Sequence, residues 1–260
     1  MDHSLILIDE PAPMVRRITL NRPEKRNALN ATLRREILIA TREADCDPDV
    51  RVTIIRGAGT CFSVGDDLSG DPTAPSEALE HDADGWGSPM HGSTNGWMSI
   101  WDLAKPVIAQ VHGDCLAGGS ELATGCDLVY VAENAKIGSP AVRFSTPDMQ
   151  YHAWLMGMRG GMESMLTCDS VSGAEAAQLG WANRAYPEAE LEEQVLAIAS
   201  RIAQIPSDLV QINKRSVHRA MEIMGLRSSI RVGTELSALA THTESMKKFM
   251  ASITEPRDDD

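Results

Sequence analysis

The chain has 260 residues, 43% of them hydrophobic, and a formal net charge of -13 at pH 7. That size and composition support one large hydrophobic core without help from disulfides or a structural metal. The acidic balance disfavours nonspecific binding to nucleic acid or to an anionic membrane, although local basic clusters can still meet an anionic ligand. No apolar run approaches a membrane-spanning length, and the start Met1-Asp2-His3-Ser4-Leu5 lacks the basic and apolar regions of a secretory signal. The scattered cysteines Cys46, Cys61, Cys115, Cys126 and Cys168 form no CxxC pair and no zinc signature. Reduced thiols in a cytoplasmic setting are therefore expected.

Ser4 to Asp9 and Met14 to Leu20 are expected as strands joined through Glu10-Pro11-Ala12-Pro13. A helix follows the Asn30 turn, with Leu33, Ile37, Ala40 and Ala44 at helical spacing. Val52-Thr53-Ile54-Ile55, Val107 to Val111 and Leu128-Val129-Tyr130-Val131 are short buried strands. Their lack of polar alternation predicts strands covered on both faces. The order of strand and helix predicts an α/β core with right-handed crossovers. Residues 69–95, dominated by Gly, Pro, Ser, Asp and His, are expected as a long loop, either a lid or an insertion without a role. The last third is helical. Leu191, Val195, Ile198 and Ile202 form one apolar stripe stopped by Pro206, and Val210, Val217, Met221 and Met224 form a second. A third helix is expected over Leu236–Phe249, and Asp258-Asp259-Asp260 as a frayed tail. The chain is thus divided into a core over 1–190 and a C-terminal helical region over 191–260.

The chemistry concentrates in three segments. Leu116-Ala117-Gly118-Gly119-Ser120-Glu121-Leu122-Ala123 follows an apolar strand and enters a helix with an acid in its first turn. Its glycines allow close backbone approach, and the helix start presents unpaired N–H groups beside the proton-transfer group Glu121. An acid in a first helical turn is also favoured by the helix dipole alone. Gly57 to Leu68 forms a second glycine turn, in which Gly65 permits a backbone bend that presents the N–H of Asp66. Two such N–H groups, from Asp66 and Gly118, can grip one carbonyl oxygen, each contributing ~3 kcal/mol to a transition state. Asp66 and Asp67 put two carboxylates near that point, so they must turn away or find cationic partners. The third segment, Leu20-Asn21-Arg22-Pro23-Glu24-Lys25-Arg26-Asn27-Ala28-Leu29-Asn30, carries three basic residues that can meet phosphates. By itself it is an ordinary solvated basic turn.

Taken together and in this order, from Leu20-Asn21-Arg22-Pro23 to Leu179-Gly180-Trp181-Ala182-Asn183-Arg184, these segments resemble the crotonase superfamily of enoyl-CoA hydratases and isomerases. The resemblance implies an α/β fold, a crotonase-like ββα superhelix with a C-terminal helical trimerisation region, assembled as a homotrimer or dimer of trimers. It implies an acyl-CoA substrate, with coenzyme A as part of the substrate and no further cofactor or metal. Asp66 and Gly118 then supply the oxyanion-hole N–H groups, and Glu121 matches the first catalytic glutamate. Arg26, Ala28 and Leu29 fall where relatives line the coenzyme A arm. Ser63 and Asp67 flank the hole and, with Leu68 and Leu116, complete the implied coenzyme A-binding set, and Lys248-Phe249 resembles a C-terminal pair that reaches a nucleotide.

The second catalytic glutamate of the family matches Ala141, which has no carboxyl group. Three replacements are open. Asp148 can supply the acid, unless it caps the helix that follows Pro147. His152 can act as a base, unless it is core or pocket lining beside Tyr151 and Trp154. Glu121 can also shuttle a single proton alone. An enoyl-CoA hydratase or isomerase is the leading expectation. A non-catalytic acyl-CoA-binding protein and a crotonase-fold hydrolase, dehalogenase or decarboxylase are the alternatives.

Overall fold

The chain opens with an antiparallel pair, β1 (Ile6–Ala12) and β2 (Val15–Leu20). The strand runs further than its expected end at Asp9 and takes in Pro11, which an edge strand tolerates because its outer N–H has no partner to lose. The register shifts between Asp9 and Ala12, and the turn tightens to Pro13-Met14. A single turn of 3-10 helix (Pro23–Lys25) precedes α1 (Ala31–Cys46). The Asn30 side chain caps α1 by accepting the Leu33 N–H at 2.8 Å, and Leu33, Ile37, Ala40 and Ala44 are buried as their spacing requires. On the same helix the buried Glu36 carboxylate accepts the N–H groups of Ser4 (3.0 Å) and Leu5 (2.9 Å), fastening the N-terminal segment.

There follow β3 (Val52–Gly57), the two-residue strands β4 (His81–Asp82) and β5 (Gly85–Trp86), α2 (His91–Trp101), β6 (Val107–Val111), β7 (Asp114–Leu116), α3 (Gly118–Thr124), β8 (Leu128–Ala132) and β9 (Lys136–Gly138). After a 3-10 turn at Pro140–Arg143 come α4 (His152–Leu155), α5 (Gly157–Thr167), β10 (Val171–Ser172), α6 (Gly173–Leu179) and β11 (Arg184–Tyr186). Helices α7 (Glu188–Ala203), α8 (Ser207–Ile223), α9 (Leu226–Thr241) and α10 (Glu244–Thr254) complete the order. This computed structural model describes residues 3–68, 81–82, 85–86, 91–143 and 145–254. Most of the loop expected over 69–95, and the tail at 258–260, lie outside the described residues. Within that loop β4 pairs with β5, and residues 91–95 already belong to α2.

The main sheet has the order β1-β2-β3-β6-β8-β11, and every pairing beyond β1–β2 is parallel. All five residues of β6 are buried, as a parallel strand covered on both faces demands. A smaller layer, β10-β9-β7, is extended by single bridges pairing Ser63 with Cys115 and Leu29 with Asp66. Each turn of the chain therefore lays a strand in the main sheet, a short stretch in the small layer, then a helix. β2, Leu29 and α1 make one such unit; β3, Ser63–Asp66 and α2 the next; β6, β7 and α3 the third. This repetition places the ends of successive turns side by side.

Helix α7 joins the core through Leu191, Val195, Ile198 and Ala199. Helix α8 has no fully buried residue; its partly buried Met221 packs against the core, and polar contacts add to this, with Lys214 Nζ 2.8 Å from Asp127 and His218 3.2 Å from it while stacking on Trp101. The helix expected over Leu236–Phe249 is two helices, because the Thr243 hydroxyl accepts the Met246 N–H (3.2 Å) and starts α10 afresh. Among the described residues no helix is long and apolar enough to cross a membrane.

The Asn30 cap ties the basic turn to α1 through a single side chain. Asn30→Ala is expected to lower the unfolding free energy by about 1 kcal/mol in urea titration. An unchanged midpoint would show that α1 is held by packing alone.

Candidate active site

The two glycine turns meet because the small layer pairs them. Phe62 N–H donates to His112 O (2.8 Å), Ser63 N–H to Asp114 O (3.0 Å), and Leu116 N–H to Ser63 O (2.9 Å). Just beyond, Gly65 has φ +94°, and a Cβ there would stand 2.8 Å from Leu116 O and 3.0 Å from Gly118 N. A Cβ on Gly118 would collide with the Asp66 carboxylate. Gly65 needs glycine both for the approach to the Leu116–Gly118 backbone and for its left-handed conformation, while a side chain on Gly118 would displace the Asp66 carboxylate. Leu29 N–H donates to Gly65 O (2.8 Å) and Asp67 N–H to Leu29 O (3.1 Å). In such a parallel bridge the middle residue, Asp66, turns its own N–H to the opposite edge, the side on which Leu116–Gly118 run. Gly118 is the first residue of α3, so its N–H has no intrahelical acceptor. Among the described residues, neither the Asp66 nor the Gly118 N–H has a hydrogen-bond acceptor.

The neighbouring carboxylates find the cationic partners that the sequence requires of them. Asp66 pairs with Arg34 of α1, and Asp67 with Arg22 at 2.9 Å. Burial raises the Asp66 carboxyl above the usual range while Arg34 pulls it down.

Glu121 is 6% exposed and accepts the Met149 N–H at 3.2 Å. Its pKa is pushed up to about 8, first by burial, then by the charges of Asp148 and Asp66, with the Met149 N–H and Arg34 opposing. Asp148 is 4% exposed and does not cap a helix: α4 starts only at His152, and its N-terminal flanking residue is Tyr151, with no side-chain cap. The cap expectation fails because Met149-Gln150-Tyr151, with Met149 and Tyr151 buried, stand between Asp148 and the first helical residue. A close contact from α9 holds this segment in place, since a Cβ on Gly233 would stand 2.5 Å from Asp148 O. Two buried carboxyl groups thus lie close enough for the charge of Asp148 to bear on Glu121. Ala141 lies on the Pro140–Arg143 turn and offers no proton-transfer group. His152 is buried and stacked on Tyr151 (4.1 Å), and neither ring nitrogen has a partner among the described residues. Burial lowers its pKa to about 4, a poor match for base catalysis near neutrality.

The remaining predicted residues divide by exposure. The Arg26 side chain is largely exposed and reaches Asp114 at 3.1 Å, and Leu68 is exposed. Leu116 is half-buried, while Ala28 and Leu29 are buried and reach the site through their backbone. Ser63 is wholly buried, with its hydroxyl donating to Asn27 O (2.8 Å) and accepting the Gly65 N–H (3.2 Å), so it shapes the turn from within. Lys248 and Phe249 sit on α10.

Several participants carry no local sequence signal. Asn27 Nδ2 donates to Ala58 O and Cys61 O, both at 2.9 Å, clamping the basic turn to the second glycine turn. Arg34, Ser120, Tyr151 and Gly233 likewise act through partners distant in sequence. Among the described residues no group of three or more His, Cys, Asp or Glu is arranged to hold a metal ion.

Residues 12–260 match the family model described as enoyl-CoA hydratase/isomerase. A probable enoyl-CoA hydratase of Rhizobium meliloti is 32% identical over 258 residues, covering 96% of this chain and 96% of the relative. The crystal structure of an enoyl-CoA hydratase from Mycobacterium smegmatis superposes with a TM-score of 0.86 at 31% identity, covering 96% of this chain and 89% of that one. An enoyl-CoA hydratase/isomerase structure from Xanthobacter autotrophicus gives 0.85 at 34% identity, covering 96% and 93%. The fold is the crotonase fold that the sequence motifs led us to expect.

The raised Glu121 pKa has a thermodynamic consequence. A carboxyl that titrates at about 8 when folded, against 4.5 in the unfolded chain, contributes full stability below pH 4.5. That contribution is lost as pH rises through the folded value. Glu121→Gln is expected to flatten the fall in Tm between about pH 5 and pH 8, measured by differential scanning calorimetry. Parallel curves for both proteins would contradict the burial argument.

Proposed function

The chain belongs to the enoyl-CoA hydratase/isomerase family, and on that footing we propose that it is an enzyme that adds water to an enoyl-CoA, or moves its double bond, through a thioester enolate. The thioester oxygen accepts the N–H groups of Asp66 and Gly118. Charge that develops on that oxygen in the transition state meets two fixed donors, which costs no reorganisation at the moment of reaction. The Arg34 guanidinium offsets the Asp66 carboxylate, so the nearest acid does not oppose the developing enolate.

Glu121 and Asp148 move the protons. Two buried carboxyl groups whose charges bear on each other cannot both ionise easily, so the pair holds one proton near neutral pH. One member is then an acid able to protonate the α-carbon, and the other a base able to activate water or take a proton from the substrate. Hydration needs both roles, and the pair supplies them although Ala141 cannot. The observation that carries this reading is the burial of Glu121 within reach of the Asp148 charge, on the helix that starts with one of two N–H groups free of any described acceptor. A protein that only bound acyl-CoA would have no use for a carboxylate pair whose burial costs stability.

Arg26 meets the phosphates of coenzyme A at the surface, and the Ala28–Leu29 backbone lines its arm. Coenzyme A belongs to the substrate, and the proposed chemistry draws on no other cofactor. Self-association as a trimer, or a dimer of trimers, is supported by exposed apolar stripes: Met158, Met162 and Leu166 on α5, and Val232, Leu236 and Leu239 on α9. Residues at these spacings share one helix face.

Glu121→Gln and Asp148→Asn are each expected to slow turnover of a short-chain trans-2-enoyl-CoA by about 100-fold or more with little change in KM, followed by ultraviolet absorbance of the conjugated thioester. Full activity in Asp148→Asn would leave Glu121 as the sole proton carrier. Release of free coenzyme A or carbon dioxide, in place of hydrated or isomerised thioester, would assign the site to a hydrolase or decarboxylase.

A further inference from the structure

We propose that Ser120 and Tyr151 are positioning residues that lock the Ala117–Gly118 peptide with its N–H turned into the site. The inference rests on the reading of Gly118 as a donor to the thioester oxygen and adds the device that aims it.

The starting observation is the backbone of Ala117, at φ +46° and ψ -123°. An L residue rarely adopts this combination. A half-turn of the peptide plane between Ala117 and Gly118 would leave φ of Ala117 unchanged. It would carry ψ to the left-handed helical region, which L residues do enter. The same half-turn would point the Gly118 N–H away from Asp66. The observed orientation is therefore the less comfortable of two, and something must hold it.

The holding contacts all fall on Ala117 O, the other end of the same peptide group. It accepts the N–H of Ser120 at 2.9 Å, the N–H of Glu121 at 3.1 Å and the Ser120 hydroxyl at 2.7 Å. The two backbone bonds are what any helix start supplies; the third comes from the Ser120 side chain. Ser120 Oγ in turn accepts the Tyr151 hydroxyl at 2.9 Å. With that lone pair engaged, the serine proton is directed at Ala117 O, so the tyrosine fixes the rotor of the serine. Ser120 is fully buried and Tyr151 is 2% exposed, with the Tyr151 hydroxyl spent on Ser120 and the Ser120 hydroxyl on Ala117 O. Burial pushes the tyrosine hydroxyl far above its ordinary range, so it remains a donor at any working pH. A chain of two O–H donors ending on a carbonyl polarises that peptide group as well as orienting it, which strengthens the N–H at its far side. Tyr151 also belongs to the segment whose Met149 N–H holds Glu121. One stretch of chain thus fixes both the carbonyl-binding donor and the proton carrier.

The test is isotope-edited infrared spectroscopy of butanoyl-CoA, labelled at its thioester carbonyl, bound to the full-length protein. The wild type is expected to lower the carbonyl stretch relative to free butanoyl-CoA. Tyr151→Phe and Ser120→Ala are expected to return it part of the way to the free value. Ser120→Thr, which keeps the hydroxyl, restores the lowered frequency. In turnover of a trans-2-enoyl-CoA the same two variants lose ~10-fold in kcat with KM nearly unchanged, less than the loss of a whole donor. A wild-type protein that leaves the carbonyl unshifted overturns the carbonyl-binding reading and this inference with it. A wild-type shift that persists undiminished in both Tyr151→Phe and Ser120→Ala overturns the inference alone. Should Tyr151→Phe fail to fold, the Ser120→Ala and Ser120→Thr pair decides.

Discussion

Everything at this site depends on the contact between two glycine turns. The small layer pairs Ser63 with Cys115 and carries the chain on until Gly65 lies against Gly118, with backbone atoms leaving no room for a side chain on Gly65 and the Asp66 carboxylate filling the space beside Gly118. Backbone N–H groups are fixed by the fold rather than by a rotamer, so donors built this way are ready before any ligand arrives. The parallel bridge with Leu29 turns the Asp66 N–H outward, and the start of α3 leaves the Gly118 N–H unclaimed. The superhelical repeat is what makes this possible, because it sets the ends of consecutive turns side by side.

Electrostatics around that contact are arranged by pairing and by burial. Asp66 and Asp67 stand where negative charge is least wanted, and each is matched by an arginine, Arg34 or Arg22. At Glu121 burial dominates and the Asp148 charge adds to it, so this carboxyl holds its proton well above the usual range. Such a pair is a stability cost that a purely structural core would avoid. On our reading it serves proton transfer, and it compensates for the carboxyl that Ala141 lacks.

Features that depend on neighbours in sequence were legible without the structure. The Asn30 cap, the apolar spacing of α1 and α7, the buried strands and the two glycine turns all follow from local rules. So does Glu121 at the head of α3. Features that depend on distant partners were not. Pro147-Asp148 carries the signature of a helix start, yet α4 begins four residues after Asp148 because α9 packs on the segment through Gly233. Arg34 has no spacing that points to Asp66, and nothing near Ser120 points to Tyr151. The break between α9 and α10 turns on one threonine hydroxyl, and the apolar stripe alone runs through it. Local chemistry therefore located the site, while tertiary packing decided which acids and which supports occupy it.

The most direct measurement is a crystal structure of the protein with a saturated acyl-CoA bound. The account requires the thioester oxygen to lie within hydrogen-bonding reach of both the Asp66 and the Gly118 nitrogens, with the Glu121 and Asp148 carboxyl groups beside the α- and β-carbons. A thioester seated elsewhere, or an oxygen held by side chains while those two amides face away, would contradict it.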